Sequence, residues 1–177
     1  MNDFRLQPFT LDGNLPSIEL TGRIDRQDTL LSIDYQLQGD LAAISIGSPN
    51  PTPSRQLGLW ESTCFEFFIG IPDRANYWEF NLSPTGDWNV FALDNYRQGL
   101  RNEIAFTSLP MTIDRSVNSL LLSSTIELNK IISATQALEM SVTTVIKSSQ
   151  HELSYWALTH PGAAADFHLR DSFILKI

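Results

Sequence analysis

Two short runs, Cys64 to Ile69 and Tyr77 to Leu82, alternate in a way that predicts paired strands. Successive side chains in a strand point to opposite faces, so each run splits by parity. Phe65, Phe67 and Ile69 with Trp78, Phe80 and Leu82 form one wholly apolar set; Cys64, Glu66 and Phe68 with Tyr77, Glu79 and Asn81 form the other. Gly70 to Asn76, which contains Gly-Ile-Pro-Asp, can reverse the chain between them. The expected hairpin has an oily underside and an upper face carrying two carboxylates, an amide and a phenol, with Trp60 nearby.

The same period recurs along the chain. Ile18, Leu20, Gly22 and Ile24, then Leu31, Ile33, Tyr35 and Leu37, alternate with polar neighbours across a turn at 26–28 and predict two half-buried antiparallel strands. Leu120 to Glu127 and Glu139 to Lys147 read likewise, the second with an inner stripe of Met140, Val142, Thr144 and Ile146. Phe173, Leu175 and Ile177 suggest a closing strand. Ser48 to Ser54 holds three prolines and reads as a surface loop. Glu127 to Ala137, with Leu128, Ile131 and Ile132 on one side, is the best helix candidate, though a turn-like crossover would also fit. Around ten strands and at most one short helix predict an all-β fold: an antiparallel β-sandwich of jelly-roll type, formed by residues 1–177 as one domain.

Composition narrows the partners. A net charge of -8 over 177 residues argues against nucleic acid or an anionic membrane as an electrostatic partner, and no apolar run reaches the length of a membrane span. The opening residues lack the apolar core of a signal peptide, so a cytoplasmic protein is expected. The single cysteine, Cys64, excludes an internal disulfide and reads as a small buried hydrophobe.

Several residues could carry chemistry. Trp60 stands just before a predicted strand, as a stacking ring or a core lid. Glu66 and Glu79 share a parity set within aromatic-rich strands. If close, they repel, so one must be protonated or a cation such as Arg97 or Arg170 must lie between; on an exposed face they would instead pair with arginines. A Pro-Thr-Gly turn delivers Asp87, Trp88 and Asn89 into a strand running to Leu93, and the polar loop after it carries Tyr96 and Arg97. Arg97 could fork onto vicinal hydroxyls or a carboxylate, or clamp Glu79. His160, Asp166 and His168 are the residue types of a two-histidine, one-carboxylate metal site, but their spacing matches no metal motif, and no metal is assigned. His151 lies in a hydrophilic turn with no role assigned. There is no nucleophile elbow, phosphate-cradling loop, dinucleotide fingerprint or paired-histidine zinc motif.

Leu59 to Phe68, Glu79 to Trp88, Tyr96-Arg97-Gln98-Gly99, Ser154 to Leu158, and His160-Pro161 with Asp166 to Asp171 together resemble the DOMON-like bacterial proteins related to family 9 carbohydrate-binding modules. The resemblance spans nearly the whole chain. It implies a β-sandwich with a ligand site on one sheet, where two tryptophans sandwich a terminal sugar and acidic, amide and arginine side chains bind its hydroxyls. Trp60 and Glu66 match the first tryptophan and its downstream glutamate, Trp156 the second tryptophan, and Asn81 and Arg97 the amide and arginine. Relatives carry structural calcium or, in other DOMON domains, haem through methionine and histidine. No compact acidic loop supports calcium here, and Met111 and Met140 show no pairing with a histidine, so no cofactor is assigned. The expected function is non-catalytic binding of a carbohydrate or related small molecule by Trp60, Glu66, Glu79, Asn81, Arg97 and Trp156. A glycosidase-like enzyme using Glu66 and Glu79, or a protein-docking domain, are the alternatives.

Overall fold

The computed structural model describes residues 2–9 and 15–177. Residues 1 and 10–14 lie outside the described residues, so the single-domain reading of 1–177 takes in positions about which nothing is said. In chain order the strands are β1 (Asn2–Arg5), β2 (Gln7–Pro8), β3 (Ile18–Gln27), β4 (Leu30–Gly39), β5 (Cys64–Gly70), β6 (Tyr77–Leu82), β7 (Trp88–Leu93), β8 (Arg101–Asn102), β9 (Met111–Arg115), β10 (Ser119–Glu127), β11 (Glu139–Lys147), β12 (Leu153–Ala157) and β13 (Leu175–Lys176). They form an antiparallel β-sandwich. One sheet runs β1-β3-β4-β10-β9; the other runs β2-β12-β11-β5-β6-β7-β8, with β13 also paired to β11.

The parity sets dictate how the layers meet. Phe65, Phe67, Ile69, Phe80 and Leu82 turn inward against Leu20, Ile24, Leu31, Ile33, Tyr35 and Leu37 of the opposite sheet, and Trp78 packs at the margin of this core. Phe67 and Phe80 face each other in register and stack with centroids 4.5 Å apart. Each fully buried side chain of this size contributes about 1.5–3 kcal/mol of transfer free energy. Tyr35 crosses the core, and its hydroxyl donates to the Glu66 carbonyl at 2.6 Å.

Unusually for a sandwich, β5 is buried at every position, so its outer face is covered too. A second, smaller apolar cluster of Phe68, Tyr77, Phe91, Leu93 and Phe173, with Phe167 against it, lies on that outer face. Phe173 thus departs from the expected closing stripe: it joins the outer cluster, while Leu175 and Ile177 pack on the inner core.

No α-helix forms over Glu127 to Ala137; only a 3-10 turn at Leu128–Lys130 does. Glu127 ends β10, and its side chain accepts from the Asn129 amide. Beyond the turn, Arg26 gathers the carbonyls of Ser133, Ala134 and Gln136, so the backbone acceptors find a guanidinium instead of the next helical turn.

The 48–54 stretch is a surface loop, as its prolines require. Arg55 pins its far end. The guanidinium lies 4.4 Å from the Trp88 ring centroid and donates to Asn89 Oδ1 at 2.6 Å, to the Val90 and Glu103 carbonyls at 3.2 and 3.0 Å, and to the Phe106 carbonyl. Arg55→Ala removes a donor from four acceptors, of which Asn89 Oδ1 and the Val90 carbonyl keep the backbone amides of Val90 and Glu103, and is expected to cost about 2 kcal/mol in urea unfolding. A loss below about 0.5 kcal/mol would mean that water replaces the guanidinium there without penalty.

Candidate functional site

The outer face of the larger sheet is ordered by register. Glu66 on β5 lies between Asn81 on β6 and Thr143 on β11; one pleat along, Phe68 lies between Glu79 and Ser141. The parity that sends Phe65 and Phe67 into the core forces Glu66 outward, under whatever covers that face. The cover comes from the segment carrying Phe167 and His168, the turn carrying Trp60, and Tyr155 of β12. Between cover and sheet is a cavity of about 590 Å³.

Its floor includes Glu66, Phe68, Glu79 and Val145, and its walls Trp60, Tyr155, Phe167 and His168, with Arg97, Lys147 and His151 also lining it. Gly58 adopts a φ of 72°, a region open to glycine, and starts the 3-10 turn Leu59–Glu61 that raises Trp60 beside the sheet. Trp60 is 38% exposed and meets the edge of Phe91, with centroids 5.8 Å apart. Across from it, Tyr155 and Phe167 meet edge to face at 5.9 Å.

The two carboxyls share this face, so neither is a solvated outer charge: Glu66 is 2% exposed and Glu79 5%. Burial, with the charge of Glu79 next in weight, pushes the Glu66 carboxyl well above the usual carboxylate range. Glu79 is pushed up to about 7 by burial, against the opposing pull of the Asn81 amide and the Arg97 charge. No protein cation lies between them. Arg170 pairs with Glu139, and Arg97 binds Asp166 Oδ1 at 2.8 Å. Glu79 Oε1 accepts from Asn81 Nδ2 at 2.8 Å, whereas Glu66 Oε1 is buried without a hydrogen-bond partner, as is Thr143 Oγ1 opposite.

His168 completes the polar rim. Its Nδ1 lies 2.9 Å from the Tyr77 hydroxyl, and that hydroxyl accepts from the Arg97 amide at 3.3 Å. The other ring nitrogen, Nε2, lies 3.9 Å from Glu79 Oε2. Burial, aided by Arg97, brings His168 down to about 4, so the ring is neutral at pH 7. Asp166 latches two distant segments, accepting from the Tyr96 hydroxyl at 2.5 Å, Arg97 Nη2 at 2.8 Å and the His168 amide at 3.0 Å. The latch also holds Arg97 at a φ of 51°, a conformation non-glycine residues seldom adopt.

Of the sequence-predicted residues, Trp60, Glu66, Glu79 and Arg97 therefore line one cavity. Asn81 stands behind, fully buried and bonded to Glu79. Trp156 does not join them. It is opposite Thr144, shares that residue's inward face, and packs 5% exposed in the inter-sheet core. Its neighbour Tyr155, opposite Val145, supplies the ring at the cavity. That signal was available: Thr144 belongs to the inner stripe, and a hairpin register between 147 and 153 places Tyr155 on the other face. His151 and Lys147 line the cavity without an assigned role in the sequence reading. Cys64 is buried on the same outer face, and burial pushes its thiol up.

His160 lies apart, its Nε2 2.8 Å from the Gln7 carbonyl, so it does not converge with Asp166 and His168. Among the described residues no group of three or more metal-ligating side chains is gathered. Met140 is in the inter-sheet core and Met111 packs at that core from the other sheet, so neither can reach a haem held in the cavity.

No protein family matches the chain, and no curated protein does. Solved structures share its fold. A Bacteroides uniformis protein provisionally assigned to carbohydrate binding superposes with a TM-score of 0.63 at 12% identity, over 97% of this chain and 83% of that one. A family 9 carbohydrate-binding module from Caldicellulosiruptor kristjanssonii superposes with a TM-score of 0.51 at 11% identity, both in complex with glucose (85% of this chain, 71% of that) and with cellotriose (89% and 74%).

Proposed function

We propose that the protein binds a carbohydrate or related small molecule in the cavity on the outer face of the larger sheet, and does not transform it. The observation that carries this reading is the sugar-sized cavity itself, with Trp60, Tyr155 and Phe167 as walls above a floor of fixed polar side chains. A sugar ring offers an apolar C–H face to such rings and hydroxyls to Glu66, Glu79, Arg97 and His168. The likeness in fold to modules solved with glucose and cellotriose supports the same reading, as do the DOMON-like motifs. The glycosidase alternative, with Glu66 and Glu79 on neighbouring strands of one floor, predicts turnover of chromogenic glycosides that disappears in Glu66→Gln, and no turnover across a broad panel counts against it.

The test is thermal unfolding against a panel of mono- and oligosaccharides and nucleotide-sugars. One sugar class is expected to raise the midpoint saturably, by about 2.7 kcal/mol of stabilisation at a hundredfold excess over Kd. Micromolar affinity corresponds to roughly 8 kcal/mol. No shift from any sugar at millimolar concentration would sink the proposal.

A further inference from the structure

The cavity floor presents two carboxyl side chains on adjoining strands, neither in an ion pair with a lysine or arginine among the described residues, the Arg97 charge reaching Glu79 from its own pair with Asp166. Glu66 Oε1 is buried with no hydrogen-bond partner. Glu79 Oε2 lies 3.9 Å from His168 Nε2, beyond hydrogen-bonding distance. The surrounding cations are committed elsewhere: Arg97 to Asp166, Arg170 to Glu139, and Lys147 to the Glu61 carbonyl at 3.1 Å. Above the floor stand Trp60, Phe68, Tyr155 and Phe167. Carboxylates and aromatic faces are the two kinds of group that attract an ammonium. We infer that the preferred ligand is a sugar bearing a free amino group, its ammonium seated at Glu66 and Glu79 and its ring lying against Trp60.

The inference rests on the carbohydrate reading and deepens it. Burial penalises the charged form of both carboxyls, a cost that a hydroxyl cannot offset and a cation can. An ammonium brought between them lets one carboxyl ionise, and the resulting charge-assisted bonds are roughly twice as strong as those a hydroxyl makes. The proton that the carboxyl loses passes to solvent. A hydroxyl or an N-acetyl group at the same position supplies a donor without the charge.

Isothermal titration of the full chain near pH 6 with D-glucosamine, D-glucose and N-acetyl-D-glucosamine tests this. Glucosamine is expected to bind at least about tenfold more tightly than the other two. In Glu66→Gln and in Glu79→Gln, each checked for folding by a thermal melt, the glucosamine-to-glucose affinity ratio is expected to fall toward one. Glucose binding as tightly as glucosamine, or a ratio unchanged in both variants, overturns the inference while leaving the carbohydrate reading intact. Binding of none of the three also overturns it; the carbohydrate reading falls with it only when the wider sugar panel fails as well.

Discussion

Glu79→Gln is expected to stabilise the protein by about 3 kcal/mol at pH 8 while changing it little at pH 4. The unfolded Glu79 carboxyl titrates near 4.5 and the folded one at about 7. Between those values the folded state binds more protons than the unfolded state, so the contribution of this group to stability is full below 4.5 and is lost as pH rises to 7. His168 acts in the opposite sense. Its ordinary value of 6.5 drops to about 4 on folding, so its contribution is present above 6.5 and is lost as pH falls toward 4. The two slopes oppose each other over most of the acid range, and the native profile alone hides both. The difference between variant and native protein reads Glu79 together with its coupling to Glu66, because glutamine copies the neutral carboxyl, does not titrate and no longer raises its neighbour. Urea unfolding from pH 4 to pH 8 reads it. A difference that stays flat with pH would show that Glu79 is ionised in the folded protein at neutral pH, contrary to its burial beside Glu66.

The two tryptophans named as a stacking pair are expected to separate completely. Trp156→Ala empties a site in the inter-sheet core and should cost about 3–5 kcal/mol, with ligand affinity retained in whatever fraction folds. Trp60→Ala removes a ring that is 38% exposed and lies edge-on to Phe91, so it should cost under about 1.5 kcal/mol while abolishing the ligand-induced thermal shift. Paired melts with and without saturating sugar measure both quantities. Equal stability losses would place Trp60 in the packing of the fold and remove it from the site.

The contrast shows which part of the structure period-two patterning can reach. In β5 and β6, two apolar sets of three left one arrangement, and Phe65, Phe67, Ile69, Phe80 and Leu82 point where their parity requires. In β12, Tyr155 and Trp156 are adjacent aromatics of similar hydrophobicity, so alternation alone cannot choose which faces inward. The choice is made by pairing with β11, where Thr144 lies opposite Trp156. The burial of Glu66 and Glu79 was legible as a tension and not as an outcome. What resolves it is the covering segment around Asp166 and His168, whose contacts with Tyr96, Arg97 and Tyr77 span 69 to 91 residues of sequence. No local pattern encodes such a closure. The expected helix gives way to a contact of similar reach: Arg26, 107 to 110 residues away, binds the carbonyls of Ser133, Ala134 and Gln136.

The bond from the Tyr35 hydroxyl to the Glu66 carbonyl gives the cavity a mechanical property. The residue whose side chain floors the ligand space has its backbone fastened through the hydrophobic core to the opposite sheet. Its rotational freedom is surrendered during folding, together with that of the whole sandwich. A ligand bound as proposed would meet a floor whose backbone is already fixed, and the entropy of association would fall on the ligand and the side chains it orders.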